Sequence, residues 1–96
     1  MDIIVAYDVD TTDKAGQRRL RRVALTCQDF GQRVQYSLFE CRVSEAQLEV
    51  LIQRLLGEID ADKDSLRIYI LHLGRDKSLR QFGKDRYRDF EDPLII

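Results

Sequence analysis

Both alternating sets of positions are apolar at the start of the chain. Ile3, Val5, Tyr7 and Val9 point one way; Ile4, Ala6 and Asp8 point the other. A β-branched run with no polar face marks a central strand covered on both sides, so residues 2–10 are predicted as the first strand. Thr11, Thr12 and Asp13 then offer helix caps, and the period lengthens. Leu20, Val23, Ala24 and Cys27 stand at i, i+3, i+4 and i+7, one apolar stripe that Phe30 extends. Gly31 is expected to stop this helix in the left-handed conformation. Residues 32–43 alternate again, with Val34, Tyr36 and Leu38 against Gln35, Ser37, Phe39 and Cys41. That stretch is long for one strand, so it is predicted to kink or to turn as a tight hairpin near Gln35 and Tyr36.

Ser44-Glu45-Ala46-Gln47 has the form of a capping box, and Leu48, Leu51, Ile52, Leu55 and Ile59 follow as a second amphipathic helix, with Gly57 near its end. After a polar turn at 60–65, residues 66–73 form another strand. Leu66, Ile68, Ile70 and His72 lie on one face of it, and Tyr69, Leu71 and Leu73 on the other, before Gly74 breaks it. Residues 78–82 suit a short last strand. Residues 84–92 alternate charges around Tyr87 and Phe90 and read as a mobile tail.

The order β-α-β-β-α-β is that of a ferredoxin-like α/β (α+β) sandwich: one domain at residues 1–83, followed by a charged tail at 84–96. Two helices cover only one face of such a sheet, yet the first and last long strands are apolar on both. A second copy packed sheet to sheet is the simplest cover, so a homodimer is expected.

Composition changes this picture little. The chain has 96 residues, 44% hydrophobic and 34% charged, with a net charge of −1, which describes an ordinary globular domain rather than a disordered one. No apolar run reaches the length of a membrane span, and the apolar start lacks a basic leader, so a cytoplasmic location is expected. The distribution of charge says more than its sum. Five basic residues and no acid fall between Lys14 and Arg22, while acids dominate from Glu45 to Asp64. Cys27 and Cys41 read as small buried hydrophobes.

Candidate chemistry is sparse. There is no Gly-rich phosphate loop, no Cys-X-X-Cys and no helical His pair, and His72 stands alone. Asp8 is the informative residue, because it shares a strand face with Ile4 and Ala6. If that face is buried against a second copy, two Asp8 carboxylates come together, and a hard divalent cation would relieve their repulsion. Alternatively, Asp8 is solvated at the strand end or accepts backbone N–H bonds from the turn at 11–13. Asp10 and Asp13 nearby suit turn and cap roles better than metal ligation. Arg18, Arg19, Arg21 and Arg22 form either a solvated helix face or, in a dimer, paired basic ridges for phosphates.

Tyr7-Asp8 closing the first strand, Arg22-Val23-Ala24 on the helix, and then Gly31-Gln32-Arg33-Val34-Gln35-Tyr36-Ser37-Leu38-Phe39-Glu40 together resemble the small CRISPR-associated family "Cas-two", the partner of the CRISPR integrase. The resemblance spans about residues 2–75. It implies a ferredoxin-like homodimer whose last strand, here residues 78–82, crosses to the partner's sheet. It also implies a protein that bridges the integrase and holds duplex DNA during spacer acquisition, with some members cutting single-stranded RNA or double-stranded DNA. In that chemistry Asp8 would be catalytic and would ligate one Mg²⁺ or Mn²⁺ shared at the dimer dyad. Arg22 and Arg33 would contact nucleic acid, and Tyr7, Ser37 and Phe39 would support the site. Arg18 and Arg19 join the nucleic-acid set on charge pattern alone. Two readings result: a metal-dependent endonuclease, and a non-catalytic scaffold that binds DNA.

Overall fold

The computed structural model describes residues 1–84. Four strands and two long helices are arranged as β1 (Asp2–Asp8), α1 (Lys14–Gln28), β2 (Gly31–Gln35), β3 (Leu38–Arg42), α2 (Glu45–Glu58) and β4 (Ser65–Leu71). A single helical turn, α3 (Arg75–Ser78), ends the sequence of elements. The sheet is antiparallel with strand order β2-β3-β1-β4, the ferredoxin-like arrangement that the element order predicts.

The apolar stripes meet as expected. Ile3, Val5, Tyr7 and Val9 are buried beneath the helices, against Val23 and Cys27 of α1 and Leu51 and Leu55 of α2. Phe39 and Cys41, opposite Val5 and Ile3 in register, complete that layer. Burying side chains of this size stabilises a fold by about 1.5–3 kcal/mol each, and the layer is continuous. Both helices start at side-chain caps. The Asp13 carboxylate accepts from the Gly16 amide at 2.7 Å. Ser44 and Gln47 cap each other reciprocally, at 3.1 Å and 2.8 Å.

The stretch 32–43 is a hairpin with its turn at Tyr36 and Ser37, and the β2–β3 register shifts between Arg33 and Gln35. Gly31 corrects the expectation. It does not take a positive φ, which among the described residues is confined to Gly74 and Gly83. Instead α1 ends at Gln28, and Gly31 begins β2 hard against β3. A Cβ there would lie 2.3 Å from the Glu40 carbonyl oxygen and 2.4 Å from Cys41 Sγ. The need for glycine is close approach rather than a positive φ.

Two strand expectations are also corrected. β1 stops at Asp8, because Asp10 turns its carboxylate back onto the amide and hydroxyl of Thr12. The last strand expected at 78–82 is not formed among the described residues: Ser78 closes α3, and residues 79–84 pair with no described strand, although Leu79 is extended. The tail expected at 84–96 lies outside the described residues, apart from Lys84.

On the second face of the sheet, Ile4 and Ala6 are half-buried while Asp8, Arg67 and Tyr69 are exposed. No described element covers this end of the face. At the other end the chain crosses back: the Arg75 amide donates to Asp2 Oδ2 at 2.9 Å, and its guanidinium donates to the Glu40 carboxylate. Among the described residues, no helix is long and apolar enough to cross a membrane.

Candidate functional site

Asp8 ends β1 opposite Ser65 of β4, with its side chain on the uncovered face. Strand alternation fixes this, because Tyr7 turns inward to the core and Asp8 must turn outward. Arg67 lies opposite Ala6, one step along β4 from Ser65, and so diagonal to Asp8 on the same face. Its guanidinium donates to the Tyr69 hydroxyl at 3.2 Å. Arg67 escaped the sequence reading, although alternation in the last long strand already groups it with Tyr69 and Leu71. The other carboxylates on this face, Asp2 and Glu40, are held by Arg42 and Arg75 at its far end. No three carboxylate, histidine or cysteine side chains converge as a metal site among the described residues. Among the described residues, Asp8 is therefore the one carboxylate on this face without an arginine partner.

Tyr7, Arg33 and Phe39 gather behind the sheet, on the helix side. The Tyr7 and Phe39 rings stack with centroids 6.2 Å apart, and the Arg33 guanidinium lies 5.3 Å from the Phe39 centroid. The Tyr7 hydroxyl donates to the Tyr36 carbonyl at 3.3 Å. Burial holds this phenol above its ordinary pKa, against the opposing pull of the Arg33 guanidinium. Ser37 lies in the hairpin turn, and its carbonyl accepts from the Tyr7 amide at 3.1 Å. The resemblance groups Tyr7, Arg33 and Phe39 with Asp8. The geometry separates them, because the sheet stands between.

The helix arginines divide in the same way. Arg18 and Arg22 are exposed. Arg19 is not, and here the expectation is corrected. Its guanidinium donates to Asp64 at 2.9 Å and 3.3 Å, and the Asp64 side chain is wholly enclosed. Asp64 also accepts from the amides of Asp60 at 2.8 Å and Asp10 at 3.0 Å. The Arg19 hydrogen bond, helped by those amides and opposed by burial, holds this carboxylate down at about 2. Arg19 is thus a structural tie between α1 and the turn before β4. Arg21 takes its place on the surface, in line with Lys14 and Arg18 at helical spacing. The i, i+4, i+7 pattern was visible in the sequence. A cavity of about 360 Å³ opens beside Arg21, between α1 and the hairpin, with Arg33 on its far wall.

Comparison with known proteins comes down on one family. The profile described as "CRISPR associated protein Cas2" matches residues 1–80. A protein of Moorella thermoacetica named CRISPR-associated endoribonuclease Cas2 1 is 51% identical over 96 residues, covering 100% of both chains. One of Nitratidesulfovibrio vulgaris, named CRISPR-associated endoribonuclease Cas2, is 49% identical over 100% of this chain and 94% of its own. The crystal structure of Streptococcus pyogenes Cas2 superposes with a TM-score of 0.77 at 43% identity, covering 86% of this chain and 100% of that one.

Proposed function

The chain belongs to the CRISPR-associated protein Cas2 family, and from that premise we propose that it is a cytoplasmic nucleic-acid-binding homodimer that serves spacer acquisition with the CRISPR integrase and cuts phosphodiester bonds at Asp8. The observation that carries this reading is the position of Asp8: an exposed carboxylate on a sheet face that is apolar at Ile4 and Ala6 and that no described element covers around it. The endoribonuclease names of the relatives supply the reaction class.

A second copy laid on that face brings two Asp8 carboxylates toward a common axis. Like charges at close range repel, so the pair calls for a cation. Mg²⁺ or Mn²⁺ suits this donor set, since a hard ion takes one or two carboxylates and keeps several waters. Such an ion, when bound, supplies a more acidic water and positive charge near the scissile phosphate. The residues of the chain do the rest. Pairing with Ser65 of β4 positions Asp8 at the end of β1, and Arg67 offers a cation diagonal to it for a phosphate oxygen. Hydrolysis adds the oxygen of water to phosphorus and breaks one P–O bond, and the departing oxygen takes up a proton.

The test compares wild type with Asp8→Ala on labelled single-stranded RNA and duplex DNA, with and without Mg²⁺ or Mn²⁺. Cleavage that needs both the ion and Asp8 supports the reading. Equal activity in the variant, or none in either protein, removes the enzyme.

One observation favours the scaffold as a second reading. Lys14, Arg18, Arg21 and Arg22 are exposed on α1, on the helix side of the sheet, so the basic row and Asp8 lie on opposite sides of the sheet. Duplex held on the helices need not reach the carboxylate. Salt-sensitive duplex binding without turnover would favour that role.

A further inference from the structure

The cavity between α1 and the β2–β3 hairpin is unused by the cleavage reading. We propose that it seats one unstacked nucleotide of a single strand, its base between Tyr36 and Leu25 and its phosphates on Arg21 and Arg18. The inference rests on the nucleic-acid reading above and assigns it a strand type and a place.

Size limits the occupant. At about 360 Å³ the cavity lies at the lower end of the range for small-molecule sites, enough for one nucleotide and too small for a base pair in its stack. Its lining is of two kinds. Leu20, Ala24 and Leu25 make an apolar wall on α1, while the hairpin brings Arg33, Tyr36 and Ser37 to the other side. Tyr36 is 92% exposed and Leu25 is 54% exposed. The Tyr36 carbonyl is held by the Tyr7 hydroxyl, so the hairpin tip is anchored while its ring is left to solvent. An aromatic ring left out of the core at the rim of a cationic cavity is suited to stacking a base.

The cations continue beyond the cavity. A second depression of about 340 Å³, lined by Lys14, Gln17, Arg18 and Arg21, shares Gln17 and Arg21 with the first. From Lys14 to Arg21 the row runs about 10 Å along the helix. None of these three basic residues forms an ion pair with any described residue. A simple anion would leave the apolar wall without a purpose, and an apolar ligand would leave the cations without one. A nucleotide uses both. Its base must leave the stack to enter, which a single strand permits cheaply and a duplex does not.

Binding of three labelled probes tests this: an oligouridylate, an abasic ribose-phosphate strand of the same length, and duplex DNA. Because the Tyr36 ring is solvent-exposed, Tyr36→Ala should fold normally. It is expected to weaken oligouridylate binding about tenfold and to leave the abasic strand and the duplex unchanged, while Tyr36→Phe keeps the wild-type preference. Arg21→Ala should weaken all three. If Tyr36→Ala acts on all probes alike, or on none, there is no base seat, and the cleavage reading is untouched. If wild type binds no probe at low salt, the seat and the nucleic-acid reading fall together. Uridine monophosphate competing as strongly as the strand would assign the seat to a free nucleotide and overturn the single-strand assignment.

Discussion

Asp64 shows how one enclosed carboxylate organises its surroundings. It joins Arg19 of α1 to the backbone of Asp10 and Asp60, so three separate segments share one acceptor. Its folded pKa, about 2, lies below the unfolded value of about 4. Its contribution to stability is therefore complete above pH ~4 and is lost as the pH falls through about 2. Acid unfolding followed by circular dichroism should show this loss, and Asp64→Asn should flatten the stability profile between those limits. At neutral pH, Asp64→Ala should cost about 2–3 kcal/mol in urea titrations, since it strands a guanidinium and two amides. An unchanged midpoint would contradict the tie. This residue also marks a limit of the sequence. Arg18, Arg19, Arg21 and Arg22 look alike in a run, and Asp64 stands more than forty positions away, so nothing local singles out the arginine that is consumed. Asp8 was legible, because alternation from Ile4 and Ala6 places it outward whatever the partner.

The helices and strands were largely legible because their periods are clean. The stripe Leu20, Val23, Ala24 and Cys27 and the box Ser44–Gln47 both lie where they were expected. Ser44→Ala removes one of the two reciprocal hydrogen bonds and should cost about 1 kcal/mol, read as a fall in Tm of about 4–8 °C. A Tm within 1 °C of wild type (about the precision of the measurement, and far inside the expected shift) would mean that the box contributes nothing. Gly31 was misjudged because a glycine after a helix has two uses, and only the tertiary approach of β3 decides between them. The final strand expected at 78–82 has no partner among the described residues, and no periodicity within one chain reports a ladder that a second chain would supply.

Over the described residues, the molecule is a sheet with one face dressed by helices and the other uncovered around Asp8. The helix side holds the core, the basic row and the nucleotide-sized cavity; the bare side holds Ile4, Ala6, Tyr69 and Asp8. That division was half-legible. Apolar residues on both faces of the first strand called for a cover, and alternation already set Tyr7 opposite Asp8, but that Arg33 and Phe39 join Tyr7 on the helix side follows only from the pairing registers of β1, β2 and β3. Placing a charge at the centre of the bare face, as in Ile4→Lys, should convert a dimer to a monomer in light scattering with little loss of secondary structure. A monomeric wild type would contradict the pairing. The central claim is that two chains share one ion through Asp8, and Mn²⁺ binding followed by electron paramagnetic resonance tests it most directly. The account predicts about one tightly bound ion for every two chains, absent in Asp8→Ala. Binding of one ion per chain, or binding that survives the substitution, would contradict it.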